Sequence, residues 1–321
     1  MEKRDKLILT AGPSITQKEI SYVQDAIQNG WNEHWNDYII KFENKFAEYI
    51  GVKHALTTSS CTGAMHLGLK SMGLQLGDEV IVPEITWVAT ASSVTYVNAN
   101  PIFVDIDPET WCIDPTSIQN SITSKTKAIM PVHLYGHPAD MEKIYEIAHE
   151  HDLLIFEDAA QSIGTTFKNK KTGSFGNASA FSFQGAKILS TGEGGMFLTD
   201  DTELFEKVSK LGDHGRSLTK SLWNDEIGFK YKMSNLQAAM GLAQLERIEE
   251  LIEKKRMIYS WYHKRLNSIE DISLNVEKNN SRNIFWMTTI VLGEKLKIDR
   301  DEFIQKLKQW NIDSRPVFYP I

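Results

Sequence analysis

Phe181-Ser182-Phe183-Gln184-Gly185-Ala186-Lys187-Ile188-Leu189-Ser190-Thr191-Gly192-Glu193-Gly194-Gly195-Met196-Phe197-Leu198-Thr199 reads as strand, loop, turn and strand. Phe181-Ser182-Phe183 alternates as a short buried strand does, and Met196-Phe197-Leu198 is a second apolar run. Lys187 sits between them among small residues, ahead of the turn Thr191-Gly192-Glu193-Gly194-Gly195. An unpaired ammonium between buried strands is costly. Lys187 is therefore either a loop residue pointing into water or a group with a partner or a use. One use is covalent, because a desolvated lysine with a lowered pKa attacks carbonyl carbon. A lysine taken alone is far more often solvated. The flanking chain decides between the two.

Upstream, apolar strands alternate with helices. Val80-Ile81-Val82-Pro83, Ile102 to Asp105, Ala128 to Val132 and Leu153 to Asp158 read as strands, with a helix from Met141 to His149 between the last two. Thr86-Trp87 reads as the start of a helix of small residues running to Val97. Continuous apolar strands alternating with helices argue for a largely parallel α/β sheet. Ligands of such sheets sit beyond the carboxyl ends of the strands. Thr62, Trp87, His133, Tyr135, Asp158 and Gln161 all fall at such ends. Singly, Asp158 is as well read as a turn cap, and His133 and Trp87 as core residues. Jointly they point to one pocket.

Nearer the N-terminus, Thr16 followed by Glu19 is a capping box heading a helix with Ile20, Val23, Ala26 and Ile27 on one face, ended by Gly30. Trp31 to Asn36 is a polar and aromatic loop, and Tyr38 to Ile50 is a second helix. A strand from His54 to Thr57 then leads into Thr58-Ser59-Ser60-Cys61-Thr62-Gly63-Ala64, which opens a helix. Strand, small hydroxyl residues and helix start make an anion site from free N–H groups, hydroxyls and the helix dipole, although the same pattern serves plain capping.

Beyond the opening stretch, Glu203 to Leu211 is helical, and Ser234 heads a long helix whose charged continuation runs to about Leu266. The pattern then changes to strand, strand, helix, strand: Ile272 to Val276, Ile284 to Leu292, Arg300 to Trp310 and Ile312 to Val317. This divides the chain into a large α/β domain over residues 1–250 and a small α+β domain over residues 251–321.

Composition excludes several classes. The 321 residues are 41% apolar and 24% charged, ordinary values for a soluble globular protein. A net charge of −7 without a basic tract gives no support to nucleic-acid binding. Two cysteines, Cys61 and Cys112, supply neither a disulfide framework nor a cysteine-rich metal site, and no metal is expected. The start is basic at Lys3 and Arg4 but is not followed by a signal-length apolar stretch, and no segment has the length to span a bilayer. A cytoplasmic protein without membrane partners is the expectation.

A reactive lysine, a phosphate-binding helix start, an aromatic plate and a strand-end aspartate are the parts of a pyridoxal phosphate site. That cofactor is an electron sink whose ring nitrogen is kept protonated by a carboxylate. Its phosphate needs N–H and hydroxyl donors, and the lysine, once displaced by an incoming amine, becomes the proton-moving base.

Glu157-Asp158-Ala159-Ala160-Gln161-Ser162, the Phe181 to Gly195 stretch, Pro131-Val132-His133-Leu134-Tyr135-Gly136 and Asn235-Leu236-Gln237-Ala238-Ala239 with Gln244-Leu245 carry a resemblance to the DegT/DnrJ/EryC1/StrS family of sugar aminotransferases. It runs in order from about residue 8 to the end. The resemblance implies the aspartate-aminotransferase fold (fold type I of the pyridoxal phosphate-dependent transferases) and a homodimer with shared active sites. It implies pyridoxal 5'-phosphate as cofactor, with pyridoxamine phosphate as the intermediate form. Lys187 matches the Schiff-base lysine, Asp158 the partner of the ring nitrogen, and Gln161 the residue beside the ring hydroxyl. Ser182, Thr62 and the backbone at Gly63 match phosphate contacts, and Trp87 the aromatic residue on the ring. His133, Tyr135, His214 and Arg216 lie in segments that border the site in the family.

Three departures are visible. Lys230 stands where many relatives have an asparagine that reaches the neighbouring subunit's phosphate; Gln184 replaces a common histidine or aromatic residue; and relatives continue past Ile321, so a shortened small domain is expected. The implied activity is transfer of an amino group from an amino acid, glutamate by expectation, to a keto group of a nucleotide-linked 4-keto-6-deoxy sugar for surface polysaccharide or glycan synthesis, with a lean toward perosamine-synthase-like members. The alternatives are a small keto phosphate or cyclitol acceptor and a degenerate non-catalytic relative. A related sugar dehydratase has a histidine in place of the lysine, and Lys187 argues against it.

Overall fold

The computed structural model describes residues 5–217 and 219–321, so the basic start at Lys3 and Arg4 lies outside the described residues. Helices α1 (Gln17–Asn29) and α2 (Asp37–Ile50) come first, and α1 carries the expected Thr16/Glu19 capping box. Strand β1 (His54–Thr58) leads into α3 (Cys61–Ser71), followed by β2 (Glu79–Pro83), α4 (Ala89–Tyr96) and β3 (Asn100–Val104). Helix α5 (Pro115–Ser121), β4 (Thr126–Ile129), α6 (Met141–Glu150) and β5 (Leu154–Asp158) continue the alternation. A small hairpin of β6 (Thr166–Phe167) and β7 (Lys170–Lys171) precedes β8 (Ala178–Ser182) and β9 (Gly195–Thr199). Then come α7 (Thr202–Gly212), α8 (Asn235–Leu245), α9 (Ile248–Leu266), β10 (Ile272–Leu274), β11 (Ser281–Arg282), β12 (Ile290–Leu292) and α10 (Arg300–Gln309).

Seven strands form the central sheet in the order β1-β9-β8-β5-β4-β2-β3. Strand β9 runs antiparallel to both its neighbours, and the pairs among β8, β5, β4, β2 and β3 are parallel. Because side chains alternate across a strand, each strand feeds two cores. Ile81, Ile129, Ile155, Phe181, Met196 and Leu198 pack with α2, α6, α8 and α9 on one face. Val80, Val82, Ala128, Phe156, Ala180 and Phe197 pack with α3, α4 and α7 on the other. Burial on both faces is the physical reason these strands read as unbroken apolar runs.

The expected long helix after Ser234 is two helices. Arg247 has φ −124° and ψ 21° and separates α8 from α9. Its guanidinium donates to the Ser14 carbonyl and to the buried Glu19 carboxylate, docking α1. The C-terminal portion also departs from the sequence pattern. Of Ile284 to Leu292 only Ile290–Leu292 is strand, paired with β10, and Ile312 to Val317 forms a single parallel bridge, Ile312 to Ile8, in place of a strand. Helix α4 begins at Ala89, which leaves Thr86 and Trp87 in the loop before it.

Candidate active site

Strand β5 ends at Asp158, β8 ends at Ser182, and the two lie side by side, with Asp158 opposite Ala180. Ser182 is two residues beyond Ala180 and therefore faces the same side of the sheet as Asp158, toward α3 and α4. On that side, Gly195, paired with Ser182, lies directly under the start of α3. A Cβ at Gly195 would sit 2.5 Å from the Cys61 nitrogen. The close approach brings the first turn of α3 over the ends of β8 and β9.

That turn is capped by Ser60, whose hydroxyl accepts from the Gly63 N–H at 3.0 Å. The Gly63 donor is thus satisfied internally, whereas the Cys61 and Thr62 N–H groups have no acceptor among the described residues. They and the helix dipole make a site for an anion. The Ser182 hydroxyl accepts only a long 3.4 Å contact from the Gln184 N–H and is available as a donor.

Asp158 is 4% exposed and is held from two directions. Thr90 of α4 donates its hydroxyl to Oδ2 at 2.7 Å, and the Ala160 N–H donates to Oδ1 at 3.1 Å. Gln161, also buried, accepts the Tyr135 N–H on Oε1 at 2.8 Å, which fixes the amide and leaves its nitrogen as a donor.

Lys187 lies in the loop after β8, half-buried, with no carboxylate in ion-pair contact among the described residues. Its Nζ stands 4.0 Å from the centre of the Trp286 ring. Burial holds its pKa down at about 8, opposed by Cys61 and Asp158. Burial also pushes the Cys61 thiol well up, so Asp158 is the anion that acts on the amine. A lysine with lowered basicity and no counter-ion in contact is suited to nucleophilic and base chemistry.

The remaining expected residues fall in four places. His133 is a core residue. Its Nδ1 accepts from the Ala139 N–H and its Nε2 meets Glu157 at 2.9 Å. Trp87 stands at the rim, 60% exposed, its ring 5.7 Å from that of Phe318. Lys230 lies outside the cluster on an exposed loop, where its ammonium donates to Asp213 at 2.9 Å, and Arg216 approaches the same carboxylate at 3.9 Å. Tyr135 does border the site, in the left-handed conformation at φ 52°, stacked between Trp286 and Phe318. Thr90, Trp286 and Phe318 were not singled out from sequence. Trp286 lies in a segment read as a strand, Phe318 just beyond one, and Thr90 in a helix of small residues.

Residues 13–321 match the DegT/DnrJ/EryC1/StrS aminotransferase family. The chain belongs to that family. It is a pyridoxal phosphate-dependent sugar aminotransferase. The chain is 44% identical to a GDP-perosamine synthase of Caulobacter vibrioides, over 98% of this chain and 85% of that one. It is 38% identical to a GDP-perosamine synthase of Vibrio cholerae, over 96% and 84%. Among solved structures, DesI crystallised in the presence of its TDP-sugar product superposes with a TM-score of 0.90 at 29% identity, covering 99% of this chain and 80% of that one. The sugar aminotransferase Spr1654 of Streptococcus pneumoniae, described as putative and in its pyridoxamine phosphate form, superposes at 0.91 with 26% identity, over 98% and 84%. The aminotransferase site fits the cofactor on chemistry visible in this chain: unpaired helix-start N–H groups, a free hydroxyl, a pinned carboxylate and an amine of lowered basicity stand at adjoining strand ends.

Proposed function

We propose that this aminotransferase moves an amino group from an amino acid, glutamate by preference, to the keto group of a nucleotide-linked 4-keto-6-deoxy sugar, for surface polysaccharide or glycan synthesis. The observation that carries the acceptor class is the match to perosamine synthases over nearly the whole chain. Pyridoxal phosphate, when bound, supplies the electron sink and, as pyridoxamine phosphate, carries the nitrogen from donor to acceptor.

The chain's own residues divide the work. Lys187 would hold the cofactor covalently and then take and return the proton at the substrate carbon; a pKa near 8 leaves a usable neutral fraction at physiological pH. Asp158, pinned by Thr90 and Ala160, would keep the ring nitrogen protonated. The Gln161 amide nitrogen would donate to the ring hydroxyl. Ser182 with the Cys61 and Thr62 N–H groups would bind the phosphate, and the backbone at Gly63 would close that turn through its bond to Ser60. Trp87 would cover one side of the ring from the rim.

We infer a homodimer with shared sites. The loop bearing Lys230 also exposes Leu222 (91%) and Ile227 (95%), apolar residues suited to burial against a second copy. From there Lys230 would reach the other subunit's phosphate as a point charge. Residues 1–250 would act as the cofactor domain and 251–321 as the smaller one, in the cytoplasm.

The test has two parts. Purified protein with pyridoxal phosphate should develop the yellow absorbance of a protein-bound imine, absent in Lys187→Ala; a colourless wild type defeats the enzymatic reading. A panel of keto acceptors incubated with glutamate should give an aminated nucleotide sugar by mass detection. Turnover of a small keto phosphate or cyclitol with every nucleotide sugar inert would overturn the substrate class.

A further inference from the structure

We propose that Trp286 is a positioning residue for Lys187, its indole face fixing both where the amine rests and how readily it carries a proton. The inference rests on the reading of Lys187 as the cofactor-bearing lysine. Its geometric basis is that Trp286 is immobilised on the lysine's own backbone. The indole Nε1–H donates to the carbonyl of Ala186 at 2.9 Å, across a separation of 100 positions in sequence. That carbonyl belongs to the peptide that leads into Lys187. The ring face then meets the Lys187 Nζ at 4.0 Å.

Two further contacts restrict Trp286. The Trp286 N–H donates to the Tyr135 carbonyl at 3.1 Å, and the ring stacks on Tyr135 at 6.1 Å with 17° between planes. Tyr135 in turn donates its N–H to Gln161, so wall and pocket share one chain of bonds. Gly136, at φ +98°, makes the docking possible, since a Cβ there would meet Ile284 at 2.7 Å and the Trp286 nitrogen at 3.1 Å. Trp286 is only 6% exposed.

The chemical consequence follows from what faces the amine. Asp158 on β5 is the anion that acts on it, and the Trp286 face stands 4.0 Å from it. Burial drives the amine toward its neutral form, while the electron-rich indole face favours the ammonium. Trp286 thus excludes water from Lys187 without discharging it fully. An aliphatic wall would shift the balance toward the neutral amine. A more open pocket would shift it toward the ammonium.

Competitive acetylation of the full apo-chain across pH, read by mass spectrometry on the peptide carrying Lys187, measures that balance directly. Trp286→Met keeps an apolar filler and removes the π face, and it should lower the Lys187 pKa by about one unit. Trp286→Phe keeps a face and should restore most of the wild-type value. In the loaded enzyme, Trp286→Met should lower kcat about tenfold and leave KM for the amino donor within about threefold, the split expected when a proton-moving group is misplaced. A Trp286→Met pKa that is unchanged or raised overturns the proposal, because a wall that only excluded water would let the amine regain its charge. Borohydride reduction of the loaded wild type separates the two readings. Cofactor mass on a peptide lacking Lys187 defeats the reading of Lys187 itself. Cofactor mass on Lys187, with titration unaltered in Trp286→Met, defeats only the role of Trp286.

Discussion

The Thr90 hydroxyl donates to Asp158 Oδ2 across 2.7 Å, from a helix 68 positions earlier in the chain. Thr90 has one hydroxyl hydrogen, and the charged acceptor takes it, so the 3.0 Å contact with Thr86 is a donation from Thr86 to Thr90. Two hydroxyls in series therefore polarise toward one carboxylate. Thr90→Val removes a charge-assisted bond of about 1.5–3 kcal/mol at nearly constant volume. The cofactor Kd, measured by absorbance titration, should rise about tenfold, and Thr90→Ser should stay within about threefold of wild type. Equal affinity in Thr90→Val would show that Asp158 holds its place unaided.

Lys187 gives a pH-dependent stability. Its pKa lies near 8 in the folded chain against 10.5 for the free side chain, so between those values the unfolded chain binds more protons and stability rises with pH. Below about 8 the penalty is complete, and above 10.5 it is gone. Apo Lys187→Met should be more stable than the apo wild type by about 2–3 kcal/mol at neutral pH, after allowance for partial exposure, with the gap closing toward pH 10.5. Urea denaturation at both ends of that window checks the sign.

Glu157 is wholly buried and accepts four bonds, from the N–H groups of Gly173, Phe175 and Gly176 and from His133. Because Ala139 donates to His133 Nδ1, the ring proton is on Nε2 and points at the carboxylate. Glu157→Gln sets an NH₂ group against some of these donors. It should destabilise the fold by about 3 kcal/mol or more, since buried donors lose their acceptor. A shift in the urea midpoint worth less than about 1 kcal/mol would contradict this account.

Gly195 tests the phosphate cradle by shape. Its absent Cβ leaves room for the backbone of Ser60 and Cys61, and neither neighbour is a flexible side-chain tip. Gly195→Ala should part β9 from the start of α3, cost about 1–3 kcal/mol of stability and weaken cofactor binding at least tenfold. Retained affinity, read in the same absorbance titration, would show that the α3 turn tolerates displacement.

Much of this architecture is legible in the sequence where the signal is local. The Thr16/Glu19 capping box, the helix start at Ser234, the apolar strands and the Asp158, Gln161, Ser182 and Lys187 cluster all follow from short patterns. What escapes is set by contacts between distant segments. Ile284 to Trp286 has the composition of a strand, but Asn283 accepts the Phe285 N–H, Phe285 sits at φ +49°, and its ring stacks on Tyr259. The run becomes a plug over Lys187. Likewise Ile312 to Val317 is apolar, yet Pro316 has no N–H to give to a ladder. Downstream N–H groups go instead to the Tyr135 hydroxyl, from Phe318, and to the Glu84 carbonyl, from Ile321. Thr90 carries no sequence mark at all, because its importance lies wholly in its acceptor.

Glu157 and Asp158 are consecutive residues of one strand and face opposite sides of the sheet. One carboxylate is saturated by the fold, and the other keeps lone pairs for a ligand. A slip of β5 by a single residue would put Ala159 in the place of Asp158 in one direction, or Phe156 in the place of Glu157 in the other. The first slip would remove the anion that a ring cation requires, and the second would leave the four donors of Glu157 without their acceptor. Strand alignment is thus specified from both faces at once, by buried donors on one side and by the ring cation the site would hold on the other.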